Sequence, residues 1–178
     1  MTEELIIAGF GGQGVLSMGK ILAYSALIQG KHVSWLPSYG PEMRGGTANV
    51  TVILSDEEVS SPVLDQFDTV IALNQPSLQK FESAVKPGGV LIYDTNGIKV
   101  QPTRTDIKIY SIGAAQKASD LSMSKVFNMM VLGAYLKVKP LISFDDVMNG
   151  LTKSLPARHH KLLPINEKAL HLGAEMIE

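Results

Sequence analysis

The chain has 178 residues, 45% of them hydrophobic and 19% charged, the balance of an ordinary globular domain long enough to bury its own core. Sixteen Lys and Arg against seventeen Asp and Glu leave a net charge of -1, so the basic footprint of a nucleic-acid binder is missing. There is no cysteine, which excludes disulfides, thiol catalysis and an iron–sulfur cluster held by this chain's own thiolates. Met1-Thr2-Glu3-Glu4 runs straight into a strand pattern, so no signal peptide is expected. No apolar run approaches the roughly 18 residues of a membrane span. The expected location is the cytoplasm, with neither membrane nor nucleic acid as a partner.

Leu5-Ile6-Ile7-Ala8 is a short apolar run closed by Gly9, as in a strand buried on both faces. After Gly9-Phe10-Gly11-Gly12-Gln13-Gly14 the period turns helical, with Val15, Leu16, Met18, Ile21, Leu22, Ser25 and Ile28 at three- and four-residue spacing. Gly30 is a natural stop, and Val33-Ser34-Trp35-Leu36 reads as a second strand. Together these form a βαβ unit, whose crossover is expected to be right-handed. Pro37 to Gly46 is loop; Asn49 to Leu54 is a β-branched strand; Val59-Ser60-Ser61-Pro62 is a turn. Thr69 to Leu73 is another strand, and Pro76 opens a helix to about Val85. Pro87-Gly88-Gly89 turns the chain into the strand Val90–Tyr93, ending at Asp94, and Ile107–Ile112 is the last strand.

The final third is helical. Val126, Met129, Met130, Leu132, Gly133 and Leu136 belong to a helix apolar nearly all round, ended by Pro140. Ser143 caps a helix to about Leu155. Pro156 to Pro164 reads as a linker, and Ile165 to Ile177 as a terminal amphipathic helix. The fold class expected is α/β: residues 1–178 as one Rossmann-like domain, a mostly parallel sheet flanked by helices, with a helical C-terminal third. The apolar helix at Lys125–Val138 suggests more apolar area than one small domain hides, hence a homodimer in isolation.

Gly9, Gly11 and Gly14 satisfy G-x-G-x-x-G between a strand and a helix. Such a turn exposes backbone amides at the positive end of a helix dipole, where a phosphate or carboxylate binds; a tight turn that merely needs small residues is the other reading. A dinucleotide would need an acidic ribose partner at the end of the second strand. Lys31 to Ser38 contains no Asp or Glu, and the loop lacks the Lys-Ser/Thr of a P-loop. In Ser38-Tyr39-Gly40-Pro41-Glu42-Met43-Arg44-Gly45-Gly46, Arg44 can present its planar fork to an anion and Glu42 can bond a hydroxyl or hold Arg44; an exposed ion pair of little consequence is the alternative. Both loops are expected to leave the carboxyl ends of adjacent strands and share one cleft.

Gly9–Gly14 together with Ser38–Gly46 resembles the gamma subunit of 2-oxoacid:ferredoxin oxidoreductases. The similarity continues through Pro76, Pro87-Gly88-Gly89, Asn128-Met129-Met130-Val131-Leu132-Gly133-Ala134, and Asn166-Glu167-Lys168-Ala169-Leu170 with Gly173, so it covers most of the chain. Two glycines after Arg44 look more like the 2-oxoglutarate enzymes. The resemblance implies a subunit with no catalytic residue of its own and no activity alone. In such assemblies partner subunits hold thiamine diphosphate and iron–sulfur clusters, electrons go to ferredoxin, and the acyl group goes to coenzyme A. The gamma-type chain is implicated in placing coenzyme A, with Gly9, Gly11, Gly12, Gln13, Gly14 and Arg44 as its contacts. Tyr39, Glu42 and Asn128 are expected to meet substrate or a neighbouring subunit. A stand-alone Rossmann-like nucleotide-binding oxidoreductase and a non-catalytic anion-binding module remain the alternatives.

His159 and His160 are adjacent and lack a third ligand at useful spacing, so no metal is expected. Arg158-His159-His160-Lys161 reads as a solvated segment, with a phosphate or an acidic partner as the other possibility. Asp94 serves either its own turn or a ligand hydroxyl. Asn128, an amide in an apolar helix, needs partners, and the glycine loop is one candidate.

Overall fold

The computed structural model describes residues 1–39 and 47–178, with Tyr39 described through its backbone. Its strands are β1 (Thr2–Phe10), β2 (His32–Tyr39), β3 (Thr47–Ser55), β4 (Phe67–Ala72), β5 (Val85–Asp94) and β6 (Lys108–Ile112). Its helices are α1 (Val15–Ile28), α2 (Gln75–Phe81), α3 (Ala114–Asp120), α4 (Phe127–Val138), α5 (Phe144–Ser154) and α6 (Leu163–Glu175). The sheet runs in the order β2-β3-β1-β4-β5-β6. The pairs β1–β4, β4–β5 and β5–β6 are parallel, while β3 is antiparallel to both neighbours. The expected α/β architecture with its helical C-terminal third is present.

One expectation is corrected here: β1 and β2 are not adjacent, because β3 lies between them. Both run opposite to β3, however, so their carboxyl ends still reach the same edge. Gly9 pairs with Ala48, and Ala48 pairs with Tyr39.

Alternation sends each strand's side chains to two cores. Leu5, Ile7, Val50, Val52, Ile71 and Ile92 pack under α1, α4 and their helical neighbours. Ile6, Val70, Ala72, Leu91 and Tyr93 pack on the other face with Leu78 of α2. Pro87-Gly88-Gly89 does not precede the strand, as expected, but lies inside β5 as an irregularity. The pairing steps from Phe67–Val85 to Thr69–Val90, and Gly88 adopts φ 77° while its N–H donates to the Asp106 carbonyl at 2.8 Å.

Pro156 to Pro164 is not a linker either. Ala157–Leu162 forms a 3-10 helix that runs directly into α6, with proline in the first turn, where it costs no hydrogen bond. His160 Nε2 sits 3.2 Å and 3.0 Å from the Thr152 and Leu155 carbonyls at the end of α5. No carboxylate–histidine cluster able to hold a metal exists among the described residues. Nor is any described helix long and apolar enough to cross a membrane.

Nine of the twelve residues of α4 are buried, as its all-round apolarity predicts. Its cover comes from within the chain: the backbone of Gly173 in α6 lies against the Met130 carbonyl, and that of Gly133 against the Leu170 carbonyl. The helix therefore offers no free face to a second copy, and the argument for a homodimer from this helix falls.

At the opposite edge of the sheet, Lys31 Nζ and the Met1 amino group donate to Asp56 at 2.6 Å and 2.8 Å. These contacts hold the Asp56 carboxyl down at about 2, against an ordinary 3.8. A lowered folded-state pKa gives stability that is present above about 3.8 and lost as pH falls toward about 2. Asp56→Asn is therefore expected to lower Tm slightly at pH 7, the difference closing between pH 4 and 2; thermal scans of both proteins over that range check it.

Candidate functional site

β1 must reverse into α1 within four residues. Gly12 at φ 94° and Gly14 at φ 76° make this possible, since both lie in the left-handed region that side chains avoid. Gln13 N–H donates to the Phe10 carbonyl at 3.2 Å and closes the turn. Gly14 is the N-cap of α1, with no side-chain cap and no acidic residue in the first turn. Among the described residues the amides of that first turn thus have no side-chain acceptor, and the dipole of the fourteen-residue helix adds partial positive charge there.

Two amide side chains flank the loop. Gln13 reaches back: its Oε1 accepts from Phe10 N–H at 2.6 Å, and its Nε2 donates to the Leu73 carbonyl at 3.1 Å, just beyond β4. Asn128, in the first turn of α4, lies against Gly14; a Cβ on Gly14 would sit 2.8 Å from Asn128 Cβ and Nδ2. Asn128 is half-buried rather than buried, and its contact with the loop is packing.

Asn128 also lines a groove of about 720 Å³ between α1, α4, α5 and α6. Its wall is mainly apolar, with Ile21, Met129, Leu151 and Leu155, and carries Ser17, Lys20 and Lys125. Among the described residues no Asp or Glu lines it, so the charge they give it is cationic. The sequence reading missed this groove. Lys20 was the available signal, being the one charged residue in Val15–Ile28.

Glycines 9, 11, 12 and 14, Gln13 and Asn128 thus come together at one end of the sheet. Glu42 and Arg44 lie outside the described residues, as does the side chain of Tyr39. The residues flanking that segment leave the same edge: Phe10 pairs with Thr47, and Tyr39 with Ala48. Asp94 serves its own turn, accepting from Asn96 N–H at 2.8 Å and Ala115 N–H at 2.9 Å. Burial pushes its carboxyl up, against those hydrogen bonds. Asn74, also missed, follows β4 and caps α2, its Oδ1 accepting from Ser77 N–H at 2.8 Å, while its buried Nδ2 has no partner among the described residues. The spacing Asn74-x-Pro76-Ser77 was its signal as a cap.

A glycine loop opening a long helix at the carboxyl edge of a parallel-rich sheet makes this a Rossmann-like α/β protein. It belongs to the Pyruvate ferredoxin/flavodoxin oxidoreductase family, which it matches over residues 4–176. It is 37% identical over 169 residues to ketoisovalerate oxidoreductase subunit VorA of Methanothermobacter marburgensis, covering 95% of this chain but 35% of that one. The chain therefore spans about a third of the length of those relatives. It is 31% identical over 159 residues to 2-oxoglutarate synthase subunit KorC of Methanocaldococcus jannaschii, covering 88% of this chain and 85% of that one.

Among solved structures, the gamma subunit of a keto/oxoacid ferredoxin oxidoreductase from Geobacter sulfurreducens PCA superposes with TM-score 0.85 at 28% identity, over 99% and 96% of the two chains. The 2-oxoglutarate:ferredoxin oxidoreductase of Magnetococcus marinus, with 2-oxoglutarate, coenzyme A and succinyl-CoA bound, gives 0.88 at 25%, over 98% of this chain and 31% of that one. The gamma-subunit resemblance is borne out.

Proposed function

We propose that this chain works as the gamma component of a multisubunit 2-oxoacid:ferredoxin oxidoreductase and helps to hold coenzyme A for acyl transfer. One observation carries the reading: among the described residues, the start of α1 has no side-chain cap and opens beside a groove with two lysines and no carboxylate. A diphosphate suits the loop amides, with Arg44 supplying a full charge from the neighbouring segment, and an apolar wall suits the uncharged arm of the cofactor. Coenzyme A offers both. Partner subunits would carry thiamine diphosphate and the iron–sulfur clusters and reduce ferredoxin. This chain has no cysteine with which to bind a cluster. Its own residues bind and orient.

The 2-oxoacid we assign is 2-oxoglutarate, on Gly45-Gly46 and on the near-full-length match to KorC. The higher identity to VorA favours ketoisovalerate as the second reading. A stand-alone dinucleotide enzyme is disfavoured by topology. Antiparallel β3 occupies the place beside β1 where the ribose-binding acid of a Rossmann strand would stand.

The pure chain, given 2-oxoglutarate or ketoisovalerate, coenzyme A, thiamine diphosphate and a viologen dye, should show no turnover. Addition of the other subunits of the same complex should restore it, faster with 2-oxoglutarate. Turnover by the chain alone at a comparable rate would contradict the reading.

A further inference from the structure

The geometry points to Gln13 as a positioning residue that clamps the glycine loop to the end of β4, rather than as a contact to the ligand. This rests on the reading of the loop as the coenzyme A site. Both ends of the Gln13 amide are already engaged. Oε1 accepts from Phe10 N–H at 2.6 Å, and Nε2 donates to the Leu73 carbonyl at 3.1 Å. One donor facing a carbonyl and one acceptor facing an N–H fix the orientation of the amide uniquely. Leu73 N–H in turn donates to the Ala8 carbonyl at 2.9 Å, so the clamp joins the loop to paired strands on both sides. Room for it comes from Gly9, where a Cβ would meet Gln13 Oε1 at 2.5 Å and Leu73 Cβ at 3.0 Å. Gly9 is thus required by the Gln13 side chain. The groups left to meet an anion are the backbone amides of the loop and of the first turn of α1, held in place by a side chain that does not touch it.

The test is Gln13→Glu. It keeps the acceptor for Phe10 N–H but sets a carboxylate oxygen against the Leu73 carbonyl; protonation restores a donor there. On the elements around it, Glu3, Glu4 and Asp68 lie toward the far ends of β1 and β4, and Lys137 at the far end of α4. Lys20 and Lys125 are the charged side chains of α1 and of the segment before α4. The Leu73 carbonyl and partial burial push the introduced carboxyl up, whereas the α1 dipole and Lys20 push it down; its midpoint, followed by NMR, marks the pH at which the donor returns. Coenzyme A affinity, measured relative to the parent chain at each pH, should be weaker by about tenfold at pH 8, the cost of one misplaced hydrogen bond to a charged group. That deficit should close as pH falls through the midpoint of the introduced carboxyl.

Gln13→Met, of similar length but without the hydrogen bonds, should speed exchange of the Phe10 amide proton and give a deficit that does not change with pH. It serves if the Gln13→Glu variant does not fold. Phe10 exchange unchanged in the Gln13→Met variant, or a Gln13→Glu deficit that persists below the midpoint of the introduced carboxyl, overturns the clamp. If the parent chain does not bind coenzyme A while Phe10 exchange is faster in the Gln13→Met variant, the clamp stands and the coenzyme A reading fails.

Discussion

Replacing Gly173 by Ala is expected to cost about 3 kcal/mol or more, the upper end of overpacking in a rigid core. In a chain of this size that is a fall in Tm of about 6–12 °C. The cause is backbone against backbone. α4 and α6 approach so closely that a Cβ at Gly173 would overlap the Met130 carbonyl, and one at Gly133 would overlap that of Leu170. Neither obstacle is the flexible end of a side chain, so relief requires the helices to part. That would loosen a layer in which Ala169 and Leu170 are fully buried and α4 contributes nine buried residues. Thermal unfolding followed by circular dichroism measures the effect, with Lys168→Ala on the exposed face of the same helix as a near-neutral control. A Gly173→Ala chain within 2 °C of the parent (about 1 kcal/mol or less) would mean that the two backbones do not touch.

Replacing Arg44 by Ala should weaken coenzyme A by about 10- to 150-fold in the assembled enzyme. The segment that carries it leaves β2 and enters β3 at the edge where the glycine loop opens. Loop amides supply partial charge; a guanidinium supplies a whole one, in a planar fork that matches a phosphate. Losing a charge-assisted contact costs about 1.5–3 kcal/mol, which is the stated range in affinity. Measuring the Michaelis constants for coenzyme A and for the 2-oxoacid separately tells the anions apart. A rise in the 2-oxoacid constant alone would transfer Arg44 to the other substrate. No change in either, with normal assembly, would make the segment structural.

All six strands are legible in the sequence, because short apolar, β-branched runs bounded by glycine, proline and aspartate are too brief to be helices. The place of β3 is not. The βαβ pattern sets β1 beside β2, yet β2 and β3 are joined by only the seven residues 40–46 and pair as an antiparallel hairpin. Short connections favour pairing of consecutive strands, and that rule inserts β3. Prolines mislead three times. Pro37 suggests that the second strand has ended, Pro87 a turn outside the strand, and Pro164 a linker, although Pro37 lies within the edge strand β2 and proline fits an edge strand, an irregular strand position and the first turn of a helix.

At the site, the glycines, Gln13 and Asn128 are legible because they lie within motifs. The groove is not, because its wall is assembled from four segments far apart in sequence and no local pattern encodes their meeting. Spacing assigns Gln13 to the ligand because it shows that an amide is in the loop, but not that both its ends are already bonded to the chain.

The most direct test of the coenzyme A assignment is a titration of the isotopically labelled chain with coenzyme A, following the amide signals of Gly11, Gly12, Gly14 and Ser17 together with the Asn128 side-chain amide. The account predicts that these move together and saturate, that inorganic pyrophosphate moves the glycine signals in the same direction, and that signals from α2 and from the Asp56 edge stay still. Saturable binding with the glycine loop unmoved would contradict it.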